Sequence, residues 1–165
     1  MNPLKRDRQL SAYHEAGHGV VAVALHHARV RLTLYRRPSP GPDDKVYAGQ
    51  TQWFDLTRPK IDMAAMGYAG AMAELLLHDG VGKYDDVFAA DYALQEMSPR
   101  DRGLVDLAVG RYEARARVRA WTILNDNWDF VACVAKELMR DQRRDRPGVC
   151  VLTRRRFLSE RRKHL

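Results

Sequence analysis

Cysteine is nearly absent: Cys133 and Cys150 are the two in 165 residues. Two thiols cannot build a disulfide framework or a cysteine-rich zinc site, and a reducing, cytoplasmic setting is expected. No apolar run approaches the ~18 residues that a membrane span needs. The opening Met1-Asn2-Pro3-Leu4-Lys5-Arg6-Asp7 has no apolar block and cleavage site behind it, so no secretory signal is expected. Internal repeats and low-complexity linkers are also missing, and the length suits one domain.

Charge of one sign is lacking over most of the chain. The formal charge is +7, but residues 136–165 hold eleven basic side chains against four acidic ones, and the remainder is balanced. The basicity therefore belongs to the C-terminal segment. Arg154-Arg155-Arg156 and Arg161-Arg162-Lys163-His164 suit phosphate or an acidic partner. No groove-reading motif accompanies them, so nucleic acid is the less favoured partner. Arg111, Arg115 and Arg119 repeat at i, i+4, the pattern of a solvated helix face.

What is present points to a mostly helical chain with a small sheet. Asn2 and Pro3 suit the start of a helix to about His27, with Tyr13, Ala16, Gly17, Val20, Val21 and Ala24 as its apolar stripe. Val30, Leu32 and Leu34 alternate with polar neighbours as in a half-buried strand. Pro38-Ser39-Pro40-Gly41-Pro42-Asp43-Asp44 forms a loop, and Val46–Phe54 a second strand, so a β-hairpin is expected. Thr57 caps a second helix, with Pro59 in its first turn, which runs to about His78 and stops at Gly80. Its Gly67, Ala69, Gly70, Ala71 and Ala73 cost helix propensity and imply close approach to a neighbour. A third helix spans about Asp85–Met97. Ser98-Pro99 starts a fourth, long and Arg-rich, to about Leu124. A fifth covers about Trp128–Arg143, Pro147-Gly148 breaks it, and Thr153 caps a last short one.

His14-Glu15-Ala16-Gly17-His18 is an HExxH motif on the first helix. Residues four apart share a helix face, so both imidazoles can meet one ion. Glu15 is displaced around the helix, where it can serve a water as general base. A catalytic zinc needs a third protein ligand and an open position. The metzincin extension is absent, because Val21 and Ala24 stand where its glycine and third histidine belong. His26 and His27 lie too far along the helix, and His78 reads as a helix-terminal residue. Glu74, Asp85, Asp86 and Asp91 remain as candidates.

The chain resembles the peptidase domain of FtsH-type zinc metalloproteases. Tyr13-His14-Glu15-Ala16-Gly17-His18-Gly19-Val20-Val21 resembles the family's motif helix, and Tyr47-Ala48-Gly49-Gln50-Thr51-Gln52 its Gly-x-Thr strand. Gly67-Tyr68-Ala69-Gly70-Ala71-Met72-Ala73-Glu74-Leu75 resembles its small-residue helix, and Asp86-Val87-Phe88-Ala89-Ala90 the segment with the third ligand. Ala120-Trp121-Thr122-Ile123-Leu124 and Val134-Ala135-Lys136-Glu137-Leu138 resemble its C-terminal helices. The resemblance implies a helical metallopeptidase over residues 1–145, with 146–165 as a basic segment packed on the same domain. It implies zinc on His14, His18 and Asp86, with Glu15 as base, and Glu74 orienting a ligand histidine.

The family's ATPase has no counterpart: Gly80-Val81-Gly82-Lys83-Tyr84 is not a P-loop. Endopeptidase action on flexible or unfolded polypeptide is then expected without the chain's own ATPase. A separate unfoldase could deliver substrate, and family members form rings. The alternatives are a small regulatory HExxH protease that cuts one specific protein, and a basic nucleic-acid-binding protein.

Overall fold

The computed structural model describes residues 2–41, 45–54, 58–143 and 145–162. Expectations that fall on Thr57 as a helix cap, on Pro42-Asp43-Asp44 in the loop, and on Arg144, Lys163 and His164 lie outside the described residues. The described chain is mostly helical with one small antiparallel sheet. The elements are α1 (Pro3–Ala24), β1 (Arg29–Arg36), β2 (Tyr47–Trp53), α2 (Lys60–Asp79) and α3 (Asp86–Glu96). They continue with α4 (Pro99–Val105), α5 (Arg111–Asp126), α6 (Trp128–Asp141), β3 (Gly148–Thr153) and α7 (Arg154–Arg161).

Asn2 caps α1 by accepting the Leu4 N–H, with Pro3 in the first turn. The helix stops three residues before His27, because His26 turns left-handed at φ 72°. From Ser11 to Val23 almost every residue is buried: α1 packs on α2, on α6 and across the sheet, so it needs more than one apolar face.

β1 is the central strand, in the order β2-β1-β3. The expected hairpin is present, with Leu34 opposite Gly49 and Leu32 opposite Thr51. The third strand was not anticipated. Its register sets Leu32 opposite Cys150 and Val30 opposite Leu152, and all four side chains are buried. Residues 148–153 of the basic segment are thus part of the sheet.

The single long Arg-rich helix expected from Pro99 to Leu124 is two. A turn over residues 106–110 divides α4 from α5. Gly110 sits there at φ 60°, in the region that a side chain disfavours. Thr153 caps α7 by accepting the Arg156 N–H, as its position before that helix implied.

Two of the basic tail's arginines have internal partners. Arg154 donates to the Val23 and Ala24 carbonyls at 2.6 and 2.8 Å, which places a cation at the C-terminal end of α1. Arg156 pairs with Glu137 at 2.6 Å. Among the described residues no helix is long and apolar enough to cross a membrane.

Candidate metal centre

The HExxH residues lie mid-helix on α1, where α2, α4 and β2 converge on them. His18 Nδ1 donates to the Met66 carbonyl at 2.6 Å, and His14 Nδ1 donates to Glu74 Oε1 at 2.7 Å. A carbonyl and a carboxylate only accept, so each Nδ1 carries a proton, and Nε2 is the ring atom left to face a second proton or a metal. The two Nε2 atoms are 3.0 Å apart. Asp101 faces both, Oδ2 at 3.4 Å from His14 Nε2 and Oδ1 at 3.4 Å from His18 Nε2.

Two lone pairs and a carboxylate directed at one point repel unless a proton or a cation lies between them. Burial opposes a charge on His14, but Asp101 and Glu74 outweigh it and hold the imidazole pKa up at about 10. Burial pushes Asp101 upward, and His14 and His18 overcome it, so its carboxyl falls well below the usual carboxylate range. Glu74 is lowered in the same way by His14 and Lys45 against the effect of burial.

The separations suit a metal ion. Ligand atoms bonded at ~2.05 Å to a tetrahedral zinc stand about 3.3 Å from one another, and the three measured separations are 3.0, 3.4 and 3.4 Å. Among the described residues, His14, His18 and Asp101 are the group of three such side chains close enough to share an ion. The donor set fits zinc, with two imidazoles, one carboxylate and room for a water.

Small residues on α2 make this convergence possible. A Cβ at Gly70 would lie 2.5 Å from both His14 Nε2 and His18 Nε2, and one at Gly67 would lie 2.7 Å from the Asp101 carbonyl. The first glycine admits the imidazoles, and the second lets α4 approach closely enough to present Asp101. Ser98 caps α4 by accepting the Asp101 N–H, and its hydroxyl donates to Asp101 Oδ2 at 2.7 Å. That fixes the carboxylate from its own helix.

The other carboxylate candidates stand elsewhere. Asp86, the expected third ligand, is not brought to the histidines. It opens α3 and pairs with Arg117 on α5 at 2.8 Å, and the carboxylate in the expected place is Asp101. Asp85 caps α3 through the Phe88 N–H, and Asp91 is exposed. Glu74 holds a histidine from the side away from the shared point. Asp101 went unnoticed in the sequence, although the Ser98-x-x-Asp101 spacing of a helix start marked it as an ordered carboxylate.

Glu15 is buried beside the pair, and its Oε2 accepts the Thr51 hydroxyl at 2.6 Å. A side chain at Gly49 would overlap it. Both contacts come from β2, which forms one wall of a cleft of about 310 Å³ that also contains His14, His18 and Asp101.

Among the described residues no strand pairs with the outer edge of β2 along this wall. The Arg37 N–H donates to the Val46 carbonyl at 2.8 Å, so Val46 turns its carbonyl toward β1. The alternation of an antiparallel ladder then turns Tyr47, Gly49 and Thr51 outward. At Tyr47 those groups are taken by α1: the N–H donates to Asp7 Oδ2 at 2.9 Å, and the carbonyl accepts the Ser11 hydroxyl at 3.2 Å. Gly49 and Thr51 line the cleft with the next outward backbone groups.

No family model matches the chain. It is 22% identical over 161 residues to the ATP-dependent zinc metalloprotease FtsH of Aster yellows witches'-broom phytoplasma (strain AYWB), which covers 81% of this chain and 24% of that protein. It is 27% identical over 109 residues to FtsH 3 and to FtsH 1 of Phytoplasma mali (strain AT), covering 64% of this chain and 18% of each. The chain spans about a quarter or less of the length of these curated relatives. The similarities mark an FtsH-related region, distantly akin to zinc metalloproteases.

Proposed function

We propose that this chain is a zinc-dependent endopeptidase that hydrolyses peptide bonds in flexible or unfolded polypeptide, with His14, His18 and Asp101 as the metal ligands. The observation that carries the proposal is the convergence of two Nε2 atoms and the Asp101 carboxylate beside a buried glutamate in one cleft. The distant similarity to FtsH proteins supports the same chemistry.

A zinc ion held by His14, His18 and Asp101 would lower the pKa of a water toward ~7 and would polarise a substrate carbonyl. Glu15 takes the proton of the attacking water and returns it to the leaving amine. Thr51 holds the Glu15 carboxylate through its hydroxyl, so the base needs no reorientation between these two transfers. Glu74 and the Met66 carbonyl fix the histidine rings and their tautomers.

Substrate lies extended along β2 and pairs with the outward backbone groups of Gly49 and Thr51 by strand addition. That mode requires a segment free of its own secondary structure, which is why the substrate is flexible or unfolded polypeptide.

The test combines metal analysis of the purified protein with digestion of an unfolded protein. Wild type should contain about one zinc and cut. Glu15→Gln should keep the zinc and lose cleavage by at least ~100-fold. A Glu15→Gln variant that cuts at the parental rate removes the assigned base.

A further inference from the structure

One basic side chain of the cleft flanks each end of β2. Lys45 lies two residues before the strand. At the opposite end the Arg100 guanidinium lies 6.0 Å from the ring centroid of Trp53, the last residue of β2. Among the carboxylates of the described lining, Glu15, Glu74 and Asp101 belong to the histidine cluster. That leaves Glu96 against Lys45 and Arg100. Lys45 also approaches Glu74 Oε2 at 3.5 Å, but 53% of its side chain remains exposed. Arg100 is exposed as well, and a guanidinium over an aromatic ring keeps its edge N–H groups available to an anion.

We propose that the cleft selects extended segments with acidic side chains on both sides of the bond to be cut, and that Lys45 and Arg100 determine this specificity, a selectivity that presupposes the peptidase reading above. The spacing supports it. A seven-residue strand rises about 20 Å from end to end. Gly49 and Thr51, in its middle, lie against Glu15. A segment paired with them has its reacting bond near Glu15; about three residues on one side carry it to Trp53 and Arg100, and about three on the other to Tyr47, where the Lys45 side chain turns back toward Glu74. Glutamates there meet cations, whereas lysines there meet like charge at both ends.

The test uses three labelled, unstructured twelve-residue peptides that share a neutral centre and carry Glu, Gln or Lys three residues to each side. Binding to zinc-loaded Glu15→Gln is read by fluorescence anisotropy at low and high salt, and cleavage by wild type is followed in parallel. The Glu peptide should bind about 5- to 10-fold more tightly than the Gln peptide, with the Lys peptide weakest, and the spread should shrink in salt. Adding Lys45→Glu and Arg100→Glu together should reverse the order. Arg100→Gln, a change on an exposed side chain away from the histidines, should remove the preference on one side only and so serves if the double variant misfolds. Equal binding of all three peptides, absent binding, or a preference that survives charge reversal overturns the proposal. If the binding order holds while wild type with zinc cuts none of them, the peptidase reading falls and the acid-selective cleft stands. If all three bind equally and are cut equally, the reverse is true.

Discussion

Asp101 Oδ2 lies 3.4 Å from His14 Nε2, and the same carboxylate reaches His18 Nε2 at the same distance with its other oxygen. One residue of α4 thus closes a site that α1 opens. Asp86 is occupied with Arg117 at 2.8 Å. Asp101→Ala should therefore lose zinc on dialysis against a weak chelator, whereas Asp86→Ala should retain it. Metal analysis of both variants decides, and zinc retained by Asp101→Ala but lost by Asp86→Ala would reverse the assignment. Asp86→Ala should cost at most ~1 kcal/mol of stability, because its partner is a partly exposed arginine.

Glu74 contacts the candidate metal site through His14. Glu74→Gln keeps an oxygen that can accept the His14 Nδ1 proton, but it removes the charge that makes the imidazole a better donor. Zinc affinity should fall about 10- to 100-fold, measured by competition with a fluorescent chelator, with little change in far-UV circular dichroism. Unchanged affinity would mean that Glu74 merely fills space beside the histidine.

The pair of histidines was legible in the sequence because both lie on one helix, where spacing alone fixes the shared face. The hairpin was legible because Val30, Leu32 and Leu34 alternate into the core. Asp101 was not, because its Ser98-x-x-Asp101 spacing marks an ordered helix start without saying what that helix approaches. Its placement depends on Gly67, which lets the Asp101 backbone approach α2 closely. β3 was missed for a similar reason. Pro147-Gly148 reads as an ending, and the buried alternation of Cys150 and Leu152 has meaning only once β1 is there to receive it. The Gly110 turn was hidden inside a segment whose charge pattern suits an unbroken helix.

Zinc binding should release protons even in mildly alkaline solution. The His14 pKa is held up at about 10 by Asp101 and Glu74 in the face of its burial, so at pH 8 the metal-free imidazole carries a proton that zinc must displace. Calorimetric titration at pH 8 in buffers of different ionisation enthalpy should show release of about one proton from this residue. An imidazole with the ordinary value of 6.5 would release almost none. Apparent zinc affinity should accordingly rise with pH through this range and level off only as His14 becomes neutral by itself.

The Arg156–Glu137 pair ties α7 to α6, and its pH dependence follows from one carboxyl. The Glu137 carboxyl is held below its ordinary 4.5, mainly by the Arg156 hydrogen bond. Near that pH the unfolded chain binds more protons than the folded one. The stabilisation is therefore complete above the unfolded value and is lost as pH falls through the depressed folded value. Because the pair is partly exposed, with side chains 31% and 24% accessible, solvent screening limits it to below about 1 kcal/mol. Urea unfolding of wild type and Glu137→Gln should differ by that amount at pH 6, and the two curves should converge as the pH drops well below 4. A difference that persists unchanged in acid would assign the effect of the substitution to packing on Phe130 and Phe157, across which Arg156 and Arg161 also lie, and not to charge.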